Sequence, residues 1–235
     1  MIVAAAYVVF GLTGFGSTVI AVPLLAQLMP LKFVVPVLML LDLAATLALG
    51  ARFRTRIRFD ELALLVPFIL VGMALGLTLL VNVAESRLLA GLGLFVLAYA
   101  VYGLSRRGAP PALARAWGVP IGLAGGALSA LFGTGGVLYA IYNSGRIRDA
   151  GELRATNAVL IMLSALVRLV LYGAAGLLLQ ADLLLTALLL VPALLAGFHL
   201  GNRLHAALPA AAVVKTVYAV LVVAGVMLLV RSAAT

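Results

Sequence analysis

Two ionisable side chains sit midway through otherwise apolar stretches: Asp42 in VVPVLMLLDLAATLALG and Arg168 in AVLIMLSALVRLVLYG. Charges placed inside apolar helices are costly and mark functional sites by default. Arginine keeps its charge and offers a planar fork of N–H donors, which suits capture of an oxyanion. Aspartate carries a proton or balances a cation. A shift of 122 superposes Asp42 on Ser164 and Thr46 on Arg168. Each stretch then presents an i, i+4 polar pair on one helix face. Two readings follow: Arg168 holds an anionic ligand while Asp42 carries a coupling proton, or the two residues form a structural ion pair.

A second set of groups is backbone. GFGST (Gly14, Gly16, Ser17, Thr18) and GTGGV (Gly133, Thr134, Gly135, Gly136) interrupt two long uncharged runs. Glycine permits a sharp turn and close approach of a ligand, and a helix that starts there presents unpaired N–H groups and a positive dipole end. Such a start is an anion site built from main chain. The alternative use of the same glycines is tight helix packing through small residues.

Other polar residues are weaker candidates. Thr156 and Asn157 fit capping of the helix that carries Arg168, and Asn157 also fits a ligand contact. Tyr139, Tyr142 and Asn143 follow the second glycine motif and line a cavity or pack in a core. Cysteine is absent and the two histidines form no metal constellation. No nucleophile–base set and no phosphate loop is visible, so neither an enzyme nor a cofactor is expected.

These groups need elements to hold them, and composition says which kind. The chain has 235 residues, of which 66% are hydrophobic and 10% charged, with mean hydropathy +1.27. Soluble domains carry about 25% charged residues, so the solvent here is lipid. The Leu/Ala/Val runs do not alternate, which excludes a β-barrel and predicts an all-α polytopic membrane protein. The net charge of +9 lies in short loops, where it sets orientation in the bilayer rather than binding nucleic acid.

Apolar segments fall at 1–31, 33–51, 62–84, 88–105, 116–145, 155–181, 183–202 and 209–230. Gly14 aligns with Gly133 at a shift of 119, and VPFILVGMALG (66–76) with VPALLAGFHLG (191–201) at a shift of 125. That order suggests two repeats, 1–108 and 109–235. Each glycine motif splits its segment into pieces of about 13 residues, about 20 Å of helix, too short for the 30 Å hydrocarbon core. If all eight segments cross, the loop arginines and lysines divide eight against seven. If segments 1–31 and 116–145 are re-entrant hairpins, twelve gather on one side and only Lys32, Arg87 and Arg231 face them. Cytoplasmic loops are enriched in basic residues, so the hairpins are favoured. The expectation is two inverted repeats, each a re-entrant helical hairpin followed by three transmembrane helices, with both termini outside. Inverted repeats with broken helices recur in secondary transporters.

At its glycine motifs the sequence resembles the TauE/SafE-type sulfite exporters, also called the 4-toluene sulfonate uptake permeases. That family has a GxG(S/G) motif followed by an apolar run ending in Val-Pro in each half; here the stretches are GFGSTVIAVPLL and LFGTGGVLYAIY. ELRATNAVLIMLSALVRLVLYGAAG is also similar, and a basic residue is common in the family where Arg168 stands. Tyr142 departs from the pattern, standing where the second half usually has the counterpart of Pro23. The resemblance implies secondary transport of sulfite, sulfoacetate or organosulfonates across a bacterial inner membrane, by alternating access around a midplane site. A passive anion channel or a structural membrane subunit would share much of this sequence.

Overall fold

The computed structural model describes residues 1–13, 16–50, 57–105, 112–204 and 210–234. Among them are ten α-helices and no strand. In chain order these are α1 (Ile2–Thr13), α2 (Ser17–Leu25), α3 (Leu31–Gly50), α4 (Phe59–Asn82), α5 (Glu85–Ser105), α6 (Gly118–Phe132), α7 (Gly136–Ser144), α8 (Ala150–Ala174), α9 (Leu183–Leu204) and α10 (Ala210–Ala234). Short 3-10 turns precede α6 and follow α8.

Within the described residues, α4, α5, α8, α9 and α10 are long and apolar enough to cross a bilayer. The outward side of α9 exposes Leu184, Leu185, Leu188, Leu189 and Leu195. A water-soluble surface does not carry such a continuous apolar strip. Three helices start earlier than hydropathy alone predicts, at 59, 85 and 150 rather than 62, 88 and 155. Their first turns hold Asp60 and Glu61, Glu85, and Glu152. Acidic residues there complement the positive end of the helix dipole, so the polar start belongs to the helix.

The helices gather into two compact units, and neither is a contiguous half of the chain. The first comprises Met1–Leu38, Asn82–Gly108 and Asp182–Thr235; the second comprises Met39–Val81 and Ala109–Ala181. The division falls inside α3.

In the first unit α1 packs along α9, and α5 along α10. The α1–α9 seam is set by Gly197 and Gly201: a methyl group on either would collide with the carbonyl oxygen of Ala4 or Val8. The end of α2 is fastened by Arg231, whose Nη1 donates to the Ala26 carbonyl. Glu85 accepts the Leu31 N–H at 3.1 Å and so holds the start of α3.

The second unit repeats the seam with different helices. On α4, a methyl group at Gly72 or Gly76 would collide with the carbonyl oxygen of Leu123 or Ala127 on α6. The buried face of α4 runs Glu61, Leu65, Ile69, Met73, one side chain per turn. Leu65, Ile69 and Met73 form a core with Ala130, Tyr139, Tyr142 and Leu160 from α6, α7 and α8.

Candidate anion site

The second glycine motif makes a turn that only glycine adopts easily. Gly133 ends α6 at φ 72 in the left-handed region, where an L side chain costs about 1–2 kcal/mol. Its N–H returns to Ser129 O at 2.9 Å, and the Thr134 N–H to Leu128 O at 3.4 Å. Both therefore satisfy carbonyls of the last helical turn, as C-caps do. Thr134 O then accepts the Val137 N–H at 3.2 Å as α7 begins.

Beyond the turn, the chain doubles back. Gly135 lies against the Gly125 carbonyl, and Tyr139 packs on Gly125. Leu113 N donates to Gly145 O at 3.2 Å, joining the residues just before α6 and just after α7. Leu113 and Gly145 are 32 positions apart, which a continuous helix would separate by about 48 Å. The α6–α7 pair is thus a hairpin with its two feet side by side.

Five buried polar atoms on or beside this hairpin have no hydrogen-bond partner of good geometry: Thr134 Oγ1, Tyr139 Oη, Asn143 Oδ1, Ser164 Oγ and Arg168 Nη1. Tyr139, Ser164 and Arg168 come together. Tyr139 Oη lies near the Ser164 and Ser129 hydroxyls and within electrostatic reach of Arg168. Ser164, Arg168 and Tyr172 follow one another at i, i+4 along the buried face of α8, and Tyr172 Oη fixes that face by donating to Ala130 O at 2.6 Å. Arg168 itself is 2% exposed. Its Nε reaches the Ser164 carbonyl at a long 3.4 Å, and the guanidinium also lies within hydrogen-bonding reach of the Tyr172 hydroxyl. Among the described residues no ion pair involves Arg168. A buried guanidinium without an anion is unfavourable by several kcal/mol, and these groups together offer charge and donors to an oxyanion.

The remaining candidates fall as follows. Asp42 is buried in α3 and engaged in an interaction of its own. In the first hairpin, Gly16 precedes α2 at φ 93, also left-handed, with Ser17 and Thr18 buried in the opening turn. Ser17 and Thr18 are both partnered. Gly14 lies outside the described residues, as do Arg52, Arg54, Arg56, Arg106, Arg107 and the side chains of Thr46 and Lys215. Gly136 abuts Ile161 of α8. Asn157 accepts a 2.6 Å hydrogen bond from Asn143 Nδ2, joining α7 to α8 well toward the start of α8.

The capping expectation for Thr156 and Asn157 is corrected. Asp149 caps α8 by accepting the Glu152 N–H at 2.8 Å, because the helix starts one and a half turns earlier than the apolar run. Thr156 Oγ1 instead accepts the Arg58 N–H at 3.1 Å. Arg58 is more than a loose orientation charge. It pairs with Asp60 at 2.8 Å and Glu152 at 3.6 Å, and Asp60 foremost holds its guanidinium above the usual arginine range.

Sequence reading passed over Glu61. It is 1% exposed, accepts from Tyr142 Oη at 2.9 Å, and receives Arg146 through Nε at 2.9 Å and Nη2 at 2.8 Å. The signal available was the pattern DELALL, an acid in register with the later leucines, which reads equally as a solvated helix start.

The family model for the sulfite exporter TauE/SafE matches residues 1–228. No curated protein and no solved structure matches the chain.

Proposed function

Since the chain belongs to the TauE/SafE sulfite exporter family and is a multi-pass membrane protein of that transporter family, we propose that it carries small sulfur oxyanions, with sulfite as the type substrate, through a site centred on Arg168. The observation that carries this reading is that four of those five buried polar atoms, on Thr134, Tyr139, Ser164 and Arg168, are donors suited to an oxyanion. Gly135 and Gly136 add the N–H groups of the α7 start, and Gly133 makes the turn that precedes them. Gly14, Gly16, Ser17 and Thr18 are the equivalent start in the first half, Asn157 contacts the anion on its way toward the α8 start, and Asp42 is the coupling candidate.

Transport by alternating access follows from two inverted repeats with re-entrant hairpins. The paired seams support the duplication. Gly72 and Gly76 correspond to Gly197 and Gly201 at the shift of 125, and Leu123 and Ala127 to Ala4 and Val8 at the shift of 119. Both shifts are those at which the sequence aligns with itself, and in each unit the same aligned positions meet. The side-by-side feet of α6 and α7 support re-entry on one face. In this reading both termini lie outside and the twelve basic residues inside an inner membrane, as the loop charges favour.

The test is uptake into proteoliposomes across sulfite, thiosulfate, organosulfonates and carboxylates, with and without a pH gradient. Saturable sulfite flux that responds to the gradient supports the proposal. Flux that rises linearly with concentration and ignores the gradient indicates a passive channel. Carboxylate flux without sulfite flux overturns the substrate class.

A further inference from the structure

Glu61 is a buried carboxylate that anion binding does not use, and its surroundings say what it is for. It opens the buried face of α4, one turn before Leu65. Through Arg146 and Tyr142 it holds α7 and the residue two positions past it. Arg146 Nη1 also donates to Leu113 O at 3.4 Å, while Leu113 N reaches Gly145 O. Tyr142 Oη lies 3.5 Å from Arg115 O. One carboxylate therefore ties α4 to both feet of the hairpin. The ion pair raises the Arg146 guanidinium above its usual range, Glu61 being the first cause.

Such a pair is a poor way to gain stability. Burying two charges costs about as much as their attraction returns, and apolar packing of similar size does as well or better. What the pair does supply is a fixed geometry, since the guanidinium fork and the phenol reach one carboxylate only in one register. From that foot, α7 runs about 14 Å to the glycine turn, carrying Tyr139 on the way.

We infer that Glu61 is a positioning residue for the anion site: with Arg146 and Tyr142 it pins both feet of the α6–α7 hairpin to α4, so that Tyr139 and the hairpin turn stand at the right height beside Ser164 and Arg168. The inference rests on the anion-site reading for its effect on transport, though not for the anchoring itself.

The experiment has two readouts in full-length protein, which has no native cysteine. The first needs no substrate: the rate at which a Leu113→Cys/Gly145→Cys pair oxidises to a disulfide in membranes. The Leu113 N–H···O=C Gly145 bond at 3.2 Å brings the two positions close together, which makes them the pair to cross-link. Arg146→Gln breaks the clamp and is expected to slow closure about 10-fold, and Glu61→Gln/Arg146→Gln, which lacks the same clamp, to slow it by a similar factor. The second readout is sulfite uptake. Arg146→Gln is expected to raise KM about 10-fold with Vmax changed less than about 2-fold, the neutral double variant to keep it raised, and the formed disulfide, which replaces the clamp, to bring KM back. Tyr142→Phe, which keeps the ion pair, gives a smaller KM rise and remains informative if Arg146→Gln fails to fold. An unchanged closure rate in Arg146→Gln overturns the anchor. So does a neutral double variant that closes and transports like the unmodified protein, since the clamp would then be dispensable. Absence of sulfite uptake in the unmodified protein, with closure rates as expected, overturns only the substrate reading.

Discussion

The two hairpins are built on the same seam and furnished differently. In each, the first helix lies against a crossing helix that offers two glycines one turn apart, Gly197 and Gly201 for α1, Gly72 and Gly76 for α6. In each, a glycine with positive φ stands at the break, Gly16 or Gly133. Around the breaks the likeness ends. The second hairpin adds Gly122 and Gly126 on its own side of the seam, where the aligned positions of the first hold Val3 and Tyr7, both buried. The second has an arginine and unpartnered hydroxyls beside it and a buried carboxylate at its foot. In the first, Ser17 and Thr18 already have interactions of their own. Sterics explain what is shared: two backbones in contact leave no room for a Cβ, so both copies of a duplicated seam need glycine. Chemistry explains what differs, because a charge is needed where the ligand sits and is costly anywhere else in the membrane.

The largest expected contrast is between Arg168 and its aligned counterpart Thr46. Arg168→Gln removes the charge and keeps the length, and charge-assisted hydrogen bonds contribute about 1.5–3 kcal/mol each. Saturable anion flux in proteoliposomes is expected to fall at least about 100-fold, that is about 2.7 kcal/mol for a 1.4 kcal/mol decade. Thr46→Ala is expected to stay within about 3-fold. Equal losses at both positions would mean that the halves share the chemistry, and unchanged flux in Arg168→Gln would remove the site.

A smaller effect, expected to be equal in the two halves, tests the seam. Gly72→Ala and Gly197→Ala each force a methyl group into a backbone carbonyl, and overpacking of this kind costs about 1–3 kcal/mol. Thermal unfolding of the purified protein in detergent should fall by similar amounts for both, with Ala at the unaligned Gly173 nearly silent, since a methyl group there meets only a side chain at 3.8 Å. A loss confined to one half would break the duplication as a structural statement.

The sequence made these contrasts legible to different depths. Helix breaks at glycine, the seam glycines and Arg168 are readable because each is a local exception in an apolar run. The hairpin needed only length and loop charge, and its second copy is seen in the Leu113–Gly145 contact. Grouping into units was not readable. α4 packs on α6 and α9 on α1, each far away in the chain, and short-range pattern carries no record of such partners. Glu61 was hidden for the same reason: its burial comes from Tyr142 and Arg146, 81 and 85 positions on. Asp149 was hidden by its neighbours, since a cap inside a basic loop looks like loop until the helix is seen to start at Ala150.

The finest contrast separates hydroxyls that are waiting from hydroxyls that are occupied. Thr134 Oγ1 is buried without a partner, whereas Thr18 is buried and partnered. A buried polar group pays for lost water whether or not it finds a partner. Thr134→Val is therefore expected to leave the unliganded protein as stable as before, or up to about 1 kcal/mol more stable. Thr18→Val, which breaks an existing interaction, should lower stability by about 0.5–1.5 kcal/mol. Binding reverses the order: Thr134→Val should raise the sulfite KM about 3- to 10-fold, the loss of one neutral hydrogen bond to a charged ligand, with Vmax little changed. Thermal unfolding with and without saturating sulfite reads both quantities in one series, because a ligand that binds only the folded state raises its stability in proportion to affinity. If Thr134→Val destabilises the unliganded protein as much as Thr18→Val does, Thr134 is a packing residue and the anion is held by Arg168, Ser164 and Tyr139 without it.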